Sequence, residues 1–182
     1  MNLCEKQLEA EYIYEGKILR LRRDIALLPN GTTAPREVVE HNGGVCVVPL
    51  TDDGKIIFVE QYRYPYGEVI LEIPAGKRDS LEEEPINTGI RELKEETGAT
   101  AQKMTFLGEL YPTPGYCGEI IWMYAATGLS FGEQEPDEDE FLNLKTLSLE
   151  EAVEKILSGE IKDAKTQAAV LKVKILIERG EI

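Results

Sequence analysis

The segment 85–98, PINTGIRELKEETG, constrains this chain more than any other stretch. Pro85 suits the first turn of a helix and Gly98 the position just past its end, so the segment predicts a helix over 85–97. At 100° per residue, Glu92, Glu95 and Glu96 share one face within about 100° of arc. Ile86, Ile90 and Leu93 form an apolar stripe on another face. Arg91 precedes Glu95 by four positions and is placed to pair with it. Three acids on one face with no Lys among them repel one another at a cost unless a cation sits there. Carboxylate oxygens suit Mg²⁺ or Mn²⁺. Gly89, in mid-helix, costs about 1 kcal/mol against Ala, which points to close backbone packing at that turn.

The charge of the whole chain follows the same pattern. Its 182 residues carry a net charge of −14. Residues 79–98 hold seven acids against two bases, and residues 133–140 hold six acids and no base, so the two segments supply −11 of the −14. Such clusters are usually solvated faces or loops, and the alternative is that they converge on hard cations. An acidic balance of this kind argues against a nucleic-acid backbone binder. No apolar run approaches the roughly 20 residues that span a bilayer, so no membrane partner is expected. The N-terminus has charges where a signal peptide would be apolar. Cys4, Cys46 and Cys117 are too widely spaced for a metal pair and read as reduced thiols, an expectation of a cytoplasmic protein.

Along the chain, residues 9–14 and 17–28 read as strands, stopped by Pro29-Asn30-Gly31. Further strands are expected at 36–40, 45–50, 55–62 and 68–73, the last stopped by Pro74-Ala75-Gly76. Strands at 105–111 and 120–127 flank the loop 112–119, and a strand at 141–144 follows the acidic loop 133–140. Ser148-Leu149-Glu150-Glu151 has the capping-box pattern of a helix ending near Gly159, and Asp163 caps a last helix to about Arg179. Together these elements imply an α/β sandwich on a mixed sheet.

The segment GKRDSLEEEPINTGIRELKEETGA resembles the Nudix box. Arg91, Glu92, Leu93, Glu95, Glu96, Gly98 and Ala99 fill the second half of that pattern, and Glu83 falls at the spacing of its upstream Glu. Gly76 lies one residue too far upstream, so either the loop carries an insertion or Glu82 shares the role. The segments REVVEHNGGVCVVPL, QYRYP and LEIPAG, and Pro114 fifteen positions after Ala99, are similar to the ADP-ribose pyrophosphatase branch of that family.

The resemblance implies a Nudix-type α/β/α sandwich with a mixed sheet, plus a small N-terminal antiparallel sheet. Residues 1–40 would be dimer-forming strands and 41–182 the hydrolase domain. It implies metal-dependent hydrolysis of the diphosphate of ADP-ribose, giving AMP and ribose 5-phosphate, or of a close nucleoside diphosphate sugar. The alternatives are another nucleotide-sugar or dinucleotide pyrophosphatase, and a non-catalytic ADP-ribose sensor. The implied cofactor is Mg²⁺, with Mn²⁺ as substitute. Glu92, Glu96, Glu95 and the Ala75 carbonyl would hold it, and Arg91 would orient Glu95. Arg36 and Arg63 would contact the diphosphate, Glu72 and Glu119 would lie near the ribose or the metals, and Pro114 marks a substrate loop.

The general base is expected from the acidic loop, with Glu138 and Glu140 favoured over Asp139. Repulsion should hold that loop away from the helix carboxylates until cation and substrate arrive. Tyr62, Tyr64, Tyr66, Tyr116 and Trp122 are candidates for stacking on a base, although strand aromatics are core residues as often. His41, the one histidine, reads as structural, and a triad nucleophile is excluded by the lack of a partner.

Overall fold

The computed structural model describes residues 2–137 and 140–182. They form two compact units, one of residues 2–43 with 111–120 and one of residues 44–110 with 121–182. The first unit is a three-stranded antiparallel sheet of β1 (Lys6–Glu15), β2 (Arg20–Leu27) and β3 (Thr33–Glu40), in that order. Strand β3 starts before the expected Arg36 and takes in Pro35, which an edge strand tolerates because it needs no donor on its open side. The segment 111–120 docks on β3, where Val39 N–H donates to Tyr116 O at 2.8 Å and Gly118 N–H to Val39 O at 2.9 Å. Arg22 fixes the inner face by binding buried Asp24 at 2.7 Å and reaching Glu40. Every residue of β1 is exposed.

The second unit is built on β4 (Gly44–Pro49), whose six residues are all buried. A strand covered on both faces needs apolar residues at every position, which GVCVVP supplies. Next come β5 (Lys55–Arg63), β6 (Glu68–Glu72), β7 (Ala75–Lys77), α1 (Pro85–Thr97), β8 (Ala99–Leu110), β9 (Ile121–Phe131), β10 (Leu142–Ser148), α2 (Leu149–Leu157) and α3 (Ala164–Glu178). The sheet β7-β4-β9-β8 is mixed, with β4 parallel to β9 and its other pairings antiparallel; β10-β5-β6 is an antiparallel sheet. Alternate residues of β4 face opposite layers. Val45 and Val47 pack with Leu93, Ala99 and Tyr124 under α1, whereas Cys46 and Val48 share a core with Phe58, Ile73, Val170 and Val173 of the α3 side. Helix α1 lies on one face and α3 on the other, so the expected α/β/α sandwich with its added antiparallel sheet is what the chain forms.

One reading of the sequence needs correction. Pro74-Ala75-Gly76 does not simply end a strand, because Ala75–Lys77 pairs antiparallel with β4 as β7. Three residues are too few to show a hydrophobic alternation. Of the apolar stripe of α1 only Leu93 turns inward: Ile86 and Ile90 are exposed, while Thr88, Gly89, Glu92, Leu93 and Glu96 are buried. Gly89 sets this orientation. A Cβ there would lie 3.0 Å from Val45 Cγ1 and 3.4 Å from Val47 Cγ2, so the helix backbone itself rests on β4. The remaining helix signals hold, with Ser148 and Glu151 forming the capping box of α2 and Asp163 capping α3 through Thr166 N–H.

Candidate active site

Turning α1 onto the sheet at Gly89 carries Glu92 and Glu96 inward, where they are 7% and 2% exposed. Strand β7 runs beneath them. Glu96 Oε2 accepts the Ala75 N–H at 3.0 Å, and Glu92 lies so close over Gly76 that any Cβ there would collide with its carboxylate. Arg91 donates to Glu92 Oε1 at 2.8 Å and, through the expected four-residue step, to Glu95 Oε2 at 3.0 Å. Glu95 itself is only half-buried.

Burial and crowding raise both inner acids. Glu92 is pushed up to about 7 by burial, with Arg91 opposing and the charges of Glu95 and Glu140 adding. Glu96 is pushed up to about 8 by burial, eased by the Ala75 N–H and by Arg63 and worsened by Glu92 and Glu140. Glu96 therefore has only a neutral amide bonded to it where a buried carboxylate needs a cation. Among the described residues no three acidic, histidine or cysteine side chains converge into a closed cage. Glu92 and Glu96 are buried side by side, while Glu95, half-buried, pairs with Arg91. Two buried, mutually repelling carboxylates fit a hard divalent cation that keeps part of its water shell.

The upstream loop places Glu83 and Glu82 differently. Glu83, and not Glu82, faces the helix: its carboxylate accepts Asp79 N–H at 2.8 Å and stands 3.8 Å from Arg91. Arg78 clamps the turn before Glu83 by donating to Glu83 O at 2.8 Å and Leu81 O at 2.5 Å. Arg78 also lies over one face of the half-buried Trp122, 4.9 Å from the ring centre. Tyr62, Tyr64 and Tyr66 are exposed.

The acidic loop is anchored at its start. Its first residues satisfy the C-terminal carbonyls of α1: Gly132 N–H donates to Gly98 O at 2.8 Å, Glu135 N–H to Glu95 O at 3.0 Å, and the Gln134 side chain to Glu96 O. Lys94 adds an ion pair to Glu135 at 3.2 Å. These contacts fix residues 132–135, and the charge of Glu140 bears on both Glu92 and Glu96. Glu138 and Asp139 lie outside the described residues.

Arg63 also belongs to this neighbourhood, since its charge and that of Glu96 act on one another. Glu72 holds it from behind, accepting Nε at 2.5 Å and Nη2 at 2.9 Å. Burial opposes ionisation of Glu72, yet Arg63 and Lys165 outweigh it and keep its pKa below the usual carboxylate value. Arg36, Pro114 and Glu119 belong to the first unit. Arg36 pairs with Glu5 at 2.6 Å, Pro114 is exposed, and Glu119 lies 3.5 Å from His41, whose Nδ1 accepts Gly43 N–H. The sequence reading missed Arg78, Gln134 and Lys165. Gln134 alone carried a signal, as the one uncharged polar residue in a run of acids.

Comparison with known proteins adds the following. The family profile described as NUDIX domain matches residues 40–169, and that of the nucleoside diphosphate sugar hydrolase N-terminal domain matches residues 5–39. The ADP-ribose pyrophosphatase of Bacillus subtilis (strain 168) is 44% identical over 171 residues, covering 93% of this chain and 92% of the relative. The methanol dehydrogenase activator of Bacillus methanolicus is 45% identical over 168 residues, covering 91% and 90%. A crystal structure described as an ADP compounds hydrolase shares the fold, with a TM-score of 0.84 and 24% identity over the whole of both chains.

The raised carboxylates make a prediction about stability. A group whose pKa rises on folding, here from 4.5 to about 7 and about 8, favours the folded state at low pH and loses that contribution as pH climbs through the folded values. The melting temperature of the metal-free protein should therefore fall by several degrees between about pH 5 and about pH 8.5. Saturating Mg²⁺ should flatten that slope. A metal-free protein equally stable or more stable at the alkaline end, measured by calorimetry, would contradict this.

Proposed function

We propose, because the chain belongs to the Nudix hydrolase family, that it hydrolyses the diphosphate of ADP-ribose to AMP and ribose 5-phosphate, using Mg²⁺. The observation that carries this reading is the buried pair Glu92 and Glu96 with the cation Arg63 beside it. The named relatives favour ADP-ribose, and the match of residues 5–39 to a sugar-hydrolase domain keeps other nucleoside diphosphate sugars as the second reading. A binding module that never turns over its ligand would have no use for two acids kept buried at such cost.

In this reading Glu92 and Glu96 would hold the divalent cation, with Glu95 and the Ala75 carbonyl as the further ligands the resemblance implies. When bound, it offsets diphosphate charge and lowers the pKa of the attacking water. Arg63, with Nε and Nη2 taken by Glu72, offers Nη1 to a phosphate oxygen. Arg91 keeps Glu92 and Glu95 oriented. Glu140 takes the proton of the water as it attacks phosphorus, and the bridging oxygen leaves with the other phosphate. Glu138 shares that candidacy from its place in the same acidic run. Arg36, Glu119 and Pro114 are assigned to the substrate on the resemblance alone.

Homodimerisation belongs to the same proposal. Strand β1 is exposed along all ten residues, including Leu8, Tyr12, Ile13 and Tyr14 at 47–59%. A three-stranded sheet with that much uncovered apolar surface is better accounted for by a second copy than by water. The cytoplasm is proposed as the location: the three cysteines are free thiols, and among the described residues no helix is long and apolar enough to cross a membrane.

Two experiments test this. Glu96→Gln should lower kcat on ADP-ribose at least about a hundredfold, EDTA should abolish activity, and Glu140→Gln should lower kcat with little change in KM. Activity that survives EDTA, or a Glu96→Gln enzyme within a few-fold of the parent, would overturn the metal reading. Faster turnover of another nucleoside diphosphate sugar would move the substrate assignment. Light scattering at micromolar concentration should give twice the 20.4 kDa of one chain, and a single-chain mass would remove the dimer.

A further inference from the structure

Lys165, in the first turn of α3, has only 11% of its side chain exposed. A buried ammonium is costly unless it is paired. Burial works against its charge, and Asp163, 3.0 Å away, together with Glu72 outweighs it, so its pKa ends above the usual lysine value. Glu72, itself 2% exposed, is shared: Lys165 takes Oε2 from one side while Arg63 grips both oxygens from the other. The next residue, Thr166, reinforces the join. Its hydroxyl accepts Ile73 N–H at 3.0 Å and donates to Asp163 at 2.6 Å. One turn of α3 thus holds residues 72 and 73, 93 positions away in sequence, by a charge and by a hydrogen bond.

The arrangement has a direction. Lys165 and Thr166 form its buried end, and Arg63, with 37% of its side chain exposed, forms the end whose charge meets that of Glu96. A carboxylate paired with Arg63 alone would orient the guanidinium and also cancel its charge. With a second cation on the same carboxylate, Glu72 is held in place from behind, so the orientation of Arg63 is kept, while the charge of Lys165 is balanced by Asp163, whose field also reaches Arg63.

We infer that Lys165 is a positioning residue for the substrate diphosphate, acting through Glu72 on Arg63. This rests on the reading that Arg63 contacts the diphosphate. Lysine suits the task because its compact ammonium reaches Glu72 and Asp163 together from the start of a helix.

The test uses the full chain with ADP-ribose and saturating Mg²⁺. Lys165→Met should raise KM about tenfold while kcat stays within about threefold, and Lys165→Arg should recover most of the loss. Because a lone Glu72 and Asp163 then face less positive charge, Asp163→Asn/Lys165→Met, which removes one charge of each sign, serves as the second variant. The Asn keeps the helix cap. A structural lysine would not couple to Arg63, so Arg63→Ala/Lys165→Met should have a KM no higher than Arg63→Ala alone. If Arg63→Ala raises KM but a folded Lys165→Met enzyme keeps the parental value, the inference about Lys165 is overturned and the reading of Arg63 stands. If Arg63→Ala leaves KM unchanged, the reading of Arg63 falls and takes the inference with it. Loss of folding in both Met variants would make Lys165 a purely structural residue and overturn the inference as well.

Discussion

Two carboxylates turned inward from α1 set the terms for everything around them. A helix normally gives its apolar stripe to the sheet, but here Glu92 and Glu96 occupy the inner face and Ile86 and Ile90 are left outside. Desolvating two like charges side by side opposes ionisation of both, which is why they titrate near and above neutrality. Nothing in the packing of the second unit requires acids there. Leu93 and Ala99 already join Val45, Val47 and Tyr124 in the core beneath the helix. The pair is held at a cost in stability, which marks it as a candidate for chemistry rather than packing.

The surroundings can be understood as devices that keep this pair in place. Gly89 lets the helix rest on β4, and Gly76 leaves room for the Glu92 carboxylate above β7. Arg91 sets Glu92 and Glu95 from one side, the Ala75 N–H fixes Glu96 from the other, and residues 132–135 hold the end of the helix. Long-range contacts supply the rest. The first turn of α3 grips Glu72 and Ile73, which lead directly into β7, so a distant helix helps to fix the strand on which the acids lie. Supports of this kind, one contact removed from the reacting groups, hold them to a working geometry.

Much of this was legible in the sequence, for identifiable reasons. The bounds of α1, the caps of α2 and α3, and the Arg91–Glu95 pair all rest on local rules in which residue type and spacing suffice. Which face of α1 turns inward was not legible, because the glycine that decides it acts by lacking a side chain. Strand β7 was missed because pairing with β4, rather than any pattern of its own, makes those three residues a strand. Arg78 and Lys165 were invisible for a related reason. Each is one cation among many in sequence, and only burial against Trp122 or Glu72 sets it apart.

The central claim is that Glu92 and Glu96 are partly protonated at neutral pH and give up protons to a divalent cation. Calorimetric titration of Mg²⁺ into the metal-free protein at pH 7, repeated in buffers of different ionisation enthalpy, counts those protons directly. With the two carboxylates at about 7 and about 8, binding should release on the order of one proton per chain, and Glu96→Gln should reduce that number. A binding heat that does not depend on the buffer, or proton release unchanged in Glu96→Gln, would contradict the account.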